Sequence, residues 1–365
     1  MSVPDFRERL VRHIRVHGPM TVAAYMAMAL HDPDCGYYAR RNPLGAHGDF
    51  VTAPEISQIF GELIGLWCVD RWQLMGSPNP VIVAELGPGR GTLMADFLRA
   101  TRRIAGFREA QRLYLVEASP LLRETQRHAL SGLDPIWVSS LDEVSEGRLL
   151  LVANEFLDAL PIRQLVRGHA HWAERMVAAD ARGCLAFTNG PESPALGLLV
   201  PPDRRNADLG TVVEICPAAA TLAGALAERL TRHPGAALFI DYGYAKAASG
   251  DTLTAISGHR GADALGDPGA ADLSAHVDFT AFAEAARDAG AAAHGPVTQR
   301  AFLTTLGAEA RLAALLPQAA PAQRDALETG LRRLIDPHEM GTLFKVLALT
   351  SPGLPAPAGF DGEPC

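Results

Sequence analysis

Between residues 81 and 155 the chain repeats one theme, a short apolar run that ends in polar residues and gives way to helical periodicity. The runs are VIVAEL (81–86), LYLVEA (113–118), PIWVSS (135–140) and RLLLVANE (148–155). Apolar runs of this length, bounded by polar punctuation, read as buried strands. After the first, Leu93, Met94, Phe97 and Leu98 fall on one side of a helix. Strands that alternate with helices imply a mostly parallel sheet covered on both faces. GAALFIDYGY (235–244) reads as a fifth strand. In open sheets of this kind a ligand sits at the carboxyl ends of the strands, near the point where strand order reverses. The strand ends are therefore where a site is to be sought.

The first strand runs into VIVAELGPGRGTLM (81–94), in which Glu85 precedes Gly87, Gly89 and Gly91. Glycine lets backbone approach a ligand closely and tolerates positive φ. A dinucleotide site uses G-x-G-x-x-G and sets a pyrophosphate against the helix N-terminus. Here the spacing is G-x-G-x-G, and an acid stands two positions ahead. A carboxylate there repels a pyrophosphate but suits a sulfonium, an ammonium and ribose hydroxyls, which describes S-adenosylmethionine better than NAD. Alone, the loop fits a tight strand-to-helix turn equally well.

The other ends extend the pattern. Glu117 closes the second strand, where a nucleotide-type ligand offers its ribose hydroxyls. Leu141 and Asp142 follow the third, where an adenine ring needs an apolar face and an acceptor for its amine. Asn154, Glu155 and Asp158 follow the fourth, beside the position of the reactive methyl. Each acid taken singly is as well explained as a helix cap or first-turn residue. Four in register with the glycine loop point to a methyltransferase core.

Composition narrows the remaining classes. The 365 residues are 48% hydrophobic and 20% charged, as in soluble globular chains, and no run of about 18 apolar residues offers a membrane span. The opening MSVPDFRERLVRHIRVHG mixes acids with arginines and lacks an apolar stretch, which argues against a secretory or transit peptide. Five scattered cysteines without C-x-x-C predict a reducing cytoplasmic location and no zinc or other metal site. A formal charge of −8 gives no reason to bind nucleic acid. Neither lysine lies in a phosphate loop, HEMGT (338–342) lacks the second histidine of a zinc protease, and no G-x-S-x-G elbow occurs. His169 and His171 have no third partner nearby in the sequence.

Around this core, Phe6, Leu10 and Ile14 fall on one face of an N-terminal helix ended by Gly18. Ile56, Ile59, Phe60, Leu63, Ile64 and Trp67 mark another, entered through the polar GDFVT and started by Thr52 or Pro54. We expect a helical extension over 1–78 that contributes to the cofactor site, and a core over 79–350. The core carries a β-hairpin insertion at about 165–210 and a helical cap at about 300–338, and 351–365 form a flexible tail.

At the level of whole motifs the sequence resembles the MidA-type methyltransferases, a family that includes a mitochondrial complex I assembly methyltransferase. The resemblance runs unbroken from about residue 20 to 350 through GYY, GDFVTAPEISQIFGELIG, ELGPGRGTLMADFLR, VEASPLLRETQ, NEFLDALPIRQ, DYGY, DTLTAISGHR, DLSAHVDF, TQRAFLTTLG and MGTLFKVLAL. It implies a Rossmann-like class I core, S-adenosylmethionine as cofactor, and a protein substrate. In the eukaryotic member that substrate is an arginine of a complex I subunit, symmetrically dimethylated. Carried over by position, Thr52, Glu85, Gly87, Gly89 and Glu117 would meet the cofactor. Ala53 stands where the family usually has serine.

Arginine methylation requires a poor nucleophile, protonated up to a pKa above about 12, to be held on the methyl axis and relieved of a proton. Glu155 and Asp158 are the candidates, with His276 in SAHVDF as a third proton acceptor that packing or capping explains equally well. Two other functions fit the same residues. One is a small-molecule O- or N-methyltransferase. The other is an assembly chaperone that binds the cofactor without transferring its methyl.

Overall fold

The computed structural model describes residues 6–40, 51–246 and 248–360. Gly48 to Phe50 of the GDFVT entry, together with Cys365, lie outside the described residues.

Seven strands, numbered here among themselves, form the central sheet: β1 Val81–Leu86, β2 Gln111–Val116, β3 Ile136–Val138, β4 Leu149–Asn154, β5 Gly235–Tyr244, β6 Ala292–Thr298 and β7 Phe344–Thr350. Their order across the sheet is β3-β2-β1-β4-β5-β7-β6. β1 pairs in parallel with both β2 and β4, and β4 with β5, whereas β7 runs antiparallel between β5 and β6. Order reverses between β1 and β4, so a crevice opens there above the strand ends. The two-residue strand Val277–Asp278 adds to the end of β5.

β1 and β4 are buried along their whole length, which is why they read as continuous apolar runs rather than alternating ones. Val83, Leu115, Leu150, Val152, Leu238 and Ile240 point to one face and pack on helices Gln58–Leu74 and Thr92–Thr101. Ile82, Ala84, Tyr114, Leu149, Leu151 and Phe239 point to the other and meet helices Pro217–Arg232 and Phe279–Asp288. Helices Gln58–Leu74 and Thr92–Thr101 touch closely because Gly61 has no side chain. A Cβ there would stand 2.8 Å from the Cβ of Asp96.

Three parts differ from the sequence expectation. The insertion near 165–210 is more than a hairpin: Trp172–Ala179 and Leu185–Asn189 form one, but within a five-stranded sheet with Arg163–Arg167, Val212–Ile215 and the N-terminal Met20–Thr21. A small sheet of Thr254–Ser257, Arg260–Ala262 and Asp272–Ser274 follows β5. Its strands are too short for a period to show. Finally, residues 351–360 are packed rather than flexible. The Trp67 indole donates to the Ala358 carbonyl at 3.2 Å, Arg71 donates to the Pro355 carbonyl at 2.9 Å, and the Phe360 ring lies 5.5 Å from that of Phe302. Proline and glycine signal loss of regular structure, not loss of contacts.

Helices Gln299–Thr305, Ala308–Leu315 and Pro321–Ile335 lie over residues 299–335, where the cap was expected. Arg311 of the second pairs with buried Glu62 of Gln58–Leu74 at 2.7 Å.

Candidate active site

A cavity of about 640 Å³ lies at the reversal of strand order, lined by the ends of β1, β2 and β4 and by residues of the N-terminal segment, among them His31, Tyr38, Thr52 and Glu55. Its floor is the glycine loop. Gly87 and Gly89 line it at φ 59° and 53°, and a Cβ on Gly87 would stand 2.9 Å from the Phe156 ring. Gly91 does not line the cavity. It caps helix Thr92–Thr101 at φ 85° and packs beside Gln126 and Ala129, so its part in the loop is the turn.

Glu85 ends β1 almost completely buried, with one carboxylate oxygen, Oε2, lacking a hydrogen-bond partner among the described residues. Burial pushes its pKa up to about 8. A buried acid with an unmatched oxygen, in a residue that lines a cavity, is costly unless a ligand completes it. Glu117, at the end of β2, is also raised by burial, against hydrogen bonds from Ser119 N–H at 2.8 Å and Gln126 Nε2 at 3.2 Å.

Gln126 was not foreseen. Wholly buried, it also donates to the Gly89 carbonyl at 2.8 Å and accepts from the Trp137 indole at 2.8 Å, tying loop, acid and third strand together. No sequence signal marks it, since a polar residue in a helix is normally solvated. Leu141 lines the cavity, but Asp142 next to it is exposed and does not. The acid that acts there locally is Glu143, whose carboxylate accepts the N–H groups of Ser139 at 3.0 Å and Ser140 at 3.1 Å.

At the end of β4, Asn154 and Glu155 line the cavity. The Oδ1 of Asn154 has no partner among the described residues, and its Nδ2 donates to Glu155 at 3.1 Å. Glu155 sits in the left-handed region at φ 49°, a conformation that non-glycine residues adopt rarely and at some cost. Its carboxylate also accepts the N–H of Ala53 at 3.2 Å. Here the contact is made by backbone, so the absent serine hydroxyl is not needed for it. Burial, and next the nearby Asp158 charge, raise the Glu155 pKa to about 7. Arg163, which could have neutralised it, is engaged with Glu174 at 2.7 and 2.8 Å.

Thr52 precedes the short helix Ala53–Ile56 and lines the cavity without capping through its side chain. Glu55 in that helix accepts from the Thr92 hydroxyl at 2.6 Å and pairs with Arg90 at 3.5 Å, fastening the N-terminal segment to the glycine loop.

Two of the three expected catalytic residues are not at the cavity. Asp158 lies behind the turn, buried, with Tyr242 beside its carboxyl. Its pKa is pushed up to about 6 by burial, against that hydroxyl. His276 is half-buried between the rings of Tyr242 and Tyr244, at 5.6 and 5.1 Å, with its pKa lowered by burial and by Lys345. Neither lines the cavity. Among the described residues no group of histidines, cysteines and acids is arranged to hold a metal, and no helix is long and apolar enough to cross a membrane.

A family model described as S-adenosyl-L-methionine-dependent methyltransferase matches residues 63–297. Protein arginine methyltransferase NDUFAF7, mitochondrial, of Danio rerio is 36% identical, over 94% of this chain and 86% of its own. The human protein of that name is 35% identical, over 95% and 83%. A crystal structure of a Burkholderia thailandensis protein bound to S-adenosyl-homocysteine superposes with a TM-score of 0.84 at 29% identity, covering 98% of this chain and 95% of that one. These relatives overturn one expectation. Their names place them in mitochondria, so the cytoplasmic location read from the cysteines does not stand. Free thiols report a reducing surrounding and do not distinguish compartments.

Proposed function

We propose, from the premise that this chain belongs to the S-adenosyl-L-methionine-dependent methyltransferase family, that it methylates an arginine side chain of a protein, a subunit of respiratory complex I or its bacterial homologue. The cofactor is S-adenosylmethionine, as the family model describes.

The residues present suit that cofactor. Glu85 and Asn154, which line the cavity, each carry a buried oxygen without a partner among the described residues, and a ligand with ammonium and sulfonium charge would supply one. Glycine at 87 lets the loop pass close to the Phe156 ring, which a Cβ would meet at 2.9 Å. Glu117 offers a carboxylate to ribose hydroxyls, and Leu141 an apolar face to adenine. Thr52 and Tyr38 close the site from the N-terminal extension. When bound, the cofactor supplies an electrophilic methyl group.

The observation that carries the acceptor assignment is Glu155, a carboxylate held in left-handed backbone on the cavity wall, with Arg163 engaged by Glu174 instead. A guanidinium is cationic, so a carboxylate binds it, fixes its plane and takes the proton it must release on methylation. A pKa near 7 suits that exchange at neutral pH. Asp158 adds negative charge behind Glu155 and draws a cation inward. The names of the relatives, protein arginine methyltransferases, agree with this chemistry.

The test is incubation of purified protein with methyl-labelled cofactor and an arginine-bearing protein extract, followed by hydrolysis and amino-acid analysis. Label in methylarginine of one protein band is the expected result. Label confined to small molecules would point to a small-molecule methyltransferase. Cofactor binding without any transfer would point to a chaperone.

A further inference from the structure

We infer that Asp241, which does not line the cavity, is the positioning residue that sets Glu155 for acceptor binding. This inference rests on the role proposed for Glu155. Asp241 lies near the end of β5, one residue beyond Ile240, which is in register with Asn154 at the end of β4. The Glu155 N–H donates to the Ile240 carbonyl at 2.9 Å, the last bond of that ladder. There the chain turns left-handed, and the next three amides converge. Phe156, Leu157 and Asp158 donate their N–H groups to one oxygen of Asp241, Oδ2, at 3.1, 2.9 and 3.2 Å. The other oxygen accepts the N–H of Tyr242 at 2.9 Å.

Successive N–H groups around a left-handed residue form a concavity that binds an anion. In this fold a side chain of the neighbouring strand fills it. Asp241 is 1% exposed, so its carboxyl group is screened from water and from competing ligands. Burial, with the charges of Asp158 and Glu155, pushes its pKa up, while four amides favour the ionised form. A rare backbone conformation persists only where its surroundings over-determine it. The three amide bonds from the turn supply that at Glu155, and they place the Phe156 ring beside Gly87. Without the anion the turn can relax and swing the Glu155 carboxylate off the cavity wall.

The test is a double-mutant cycle on folded protein, with kcat measured at saturating cofactor and Kd for S-adenosyl-homocysteine measured in parallel. Asp241→Asn should lower kcat by about tenfold or more, on the scale of losing one preorganised contact, and weaken S-adenosyl-homocysteine by less. In a Glu155→Gln background the same change should cost little more, because residues that act through one another are non-additive. Amide exchange should quicken at Phe156, Leu157 and Asp158 while β1 stays protected. If Asp241→Asn does not fold, Asp241→Glu keeps the charge, displaces it by one methylene, and goes through the same cycle. Effects that multiply in the double variant, or a wild-type kcat for Asp241→Asn beside a slow Glu155→Gln, would overturn the inference and leave the reading of Glu155 intact. A wild-type kcat for Glu155→Gln would remove both.

Discussion

The carboxylate of Glu155 accepts the backbone N–H of Ala53 at 3.2 Å, so the end of the fourth strand is joined to a helix a hundred residues earlier in the chain. The bond closes the cavity between sheet and N-terminal segment, and the residue that receives it is the one we assign to the acceptor.

Glu155→Gln keeps shape and removes charge. If the carboxylate holds a guanidinium and takes its proton, kcat should fall by about 10² with S-adenosyl-homocysteine affinity nearly unchanged. Asp158→Asn should cost less rate, because Asp158 does not reach the cavity. In the wild type, kcat/KM for the acceptor at saturating cofactor should decline on the acid side of a limb no higher than about 7, where Glu155 becomes protonated. Rate measurements on the two variants, with this pH profile, decide the matter; equal wild-type rates in both would remove the role.

Glu85 gives a second pH dependence, on binding. Its pKa is pushed up to about 8 by burial, and a cationic ligand prefers the ionised form. Below that pH a proton must leave on binding, so affinity should drop by up to about tenfold per unit as pH is lowered. The sign for folding is opposite. A folded pKa above the ordinary carboxylate value means that unliganded stability is present at low pH and is lost as pH rises toward 8. Calorimetric titration across this range measures the first effect, and an affinity independent of pH would count against Glu85 as the cation's partner.

Gln126→Leu removes the link between Gly89 and Glu117. Two buried acceptors lose a donor at about 1–3 kcal/mol each. Unliganded stability should therefore fall, and S-adenosyl-homocysteine should bind about tenfold or more weakly as loop and acid lose their common tether. Denaturant unfolding together with calorimetry checks both. Normal affinity with lowered stability would show that Gln126 only packs.

Gly87→Ala introduces strain at φ 59° and a Cβ 2.9 Å from the Phe156 ring. The loop and the Phe156 turn must separate, so cofactor affinity and transfer rate should both fall by about tenfold or more, since misplacements near 1 Å carry losses of up to 10². Binding and rate at wild-type values would show that the loop yields without cost.

Truncation after Thr350 removes the Trp67 and Arg71 contacts and the Phe360 ring. A loss of about 2–4 kcal/mol is expected from one half-buried aromatic and two hydrogen bonds. Unchanged thermal unfolding would mean that this segment is passive.

The sequence by itself determined five of the sheet's seven strands, the glycine loop and the positions of Glu85, Glu117 and Glu155 at the strand ends, whereas Ala292–Thr298 and the antiparallel Phe344–Thr350 were not foreseen. Each of the foreseen features rests on local signals: Val81 to Leu86 read as a strand because both faces of that strand are buried, and Gly87 and Gly89 are marked by the backbone they must adopt. Tertiary structure alone decided which of the candidates meet. Glu155 reaches the cavity and Asp158, three residues on, does not, because the chain turns left-handed between strand and loop. Periodicity carries no trace of that turn. Asp142 looked suited to adenine but points to solvent, and His276 packs between two tyrosines of β5 instead of entering the cavity. Gln126 and Asp241 were invisible for a related reason. Their significance lies in hydrogen bonds to residues far away in the chain, and such pairings exist only once the strands have taken their order.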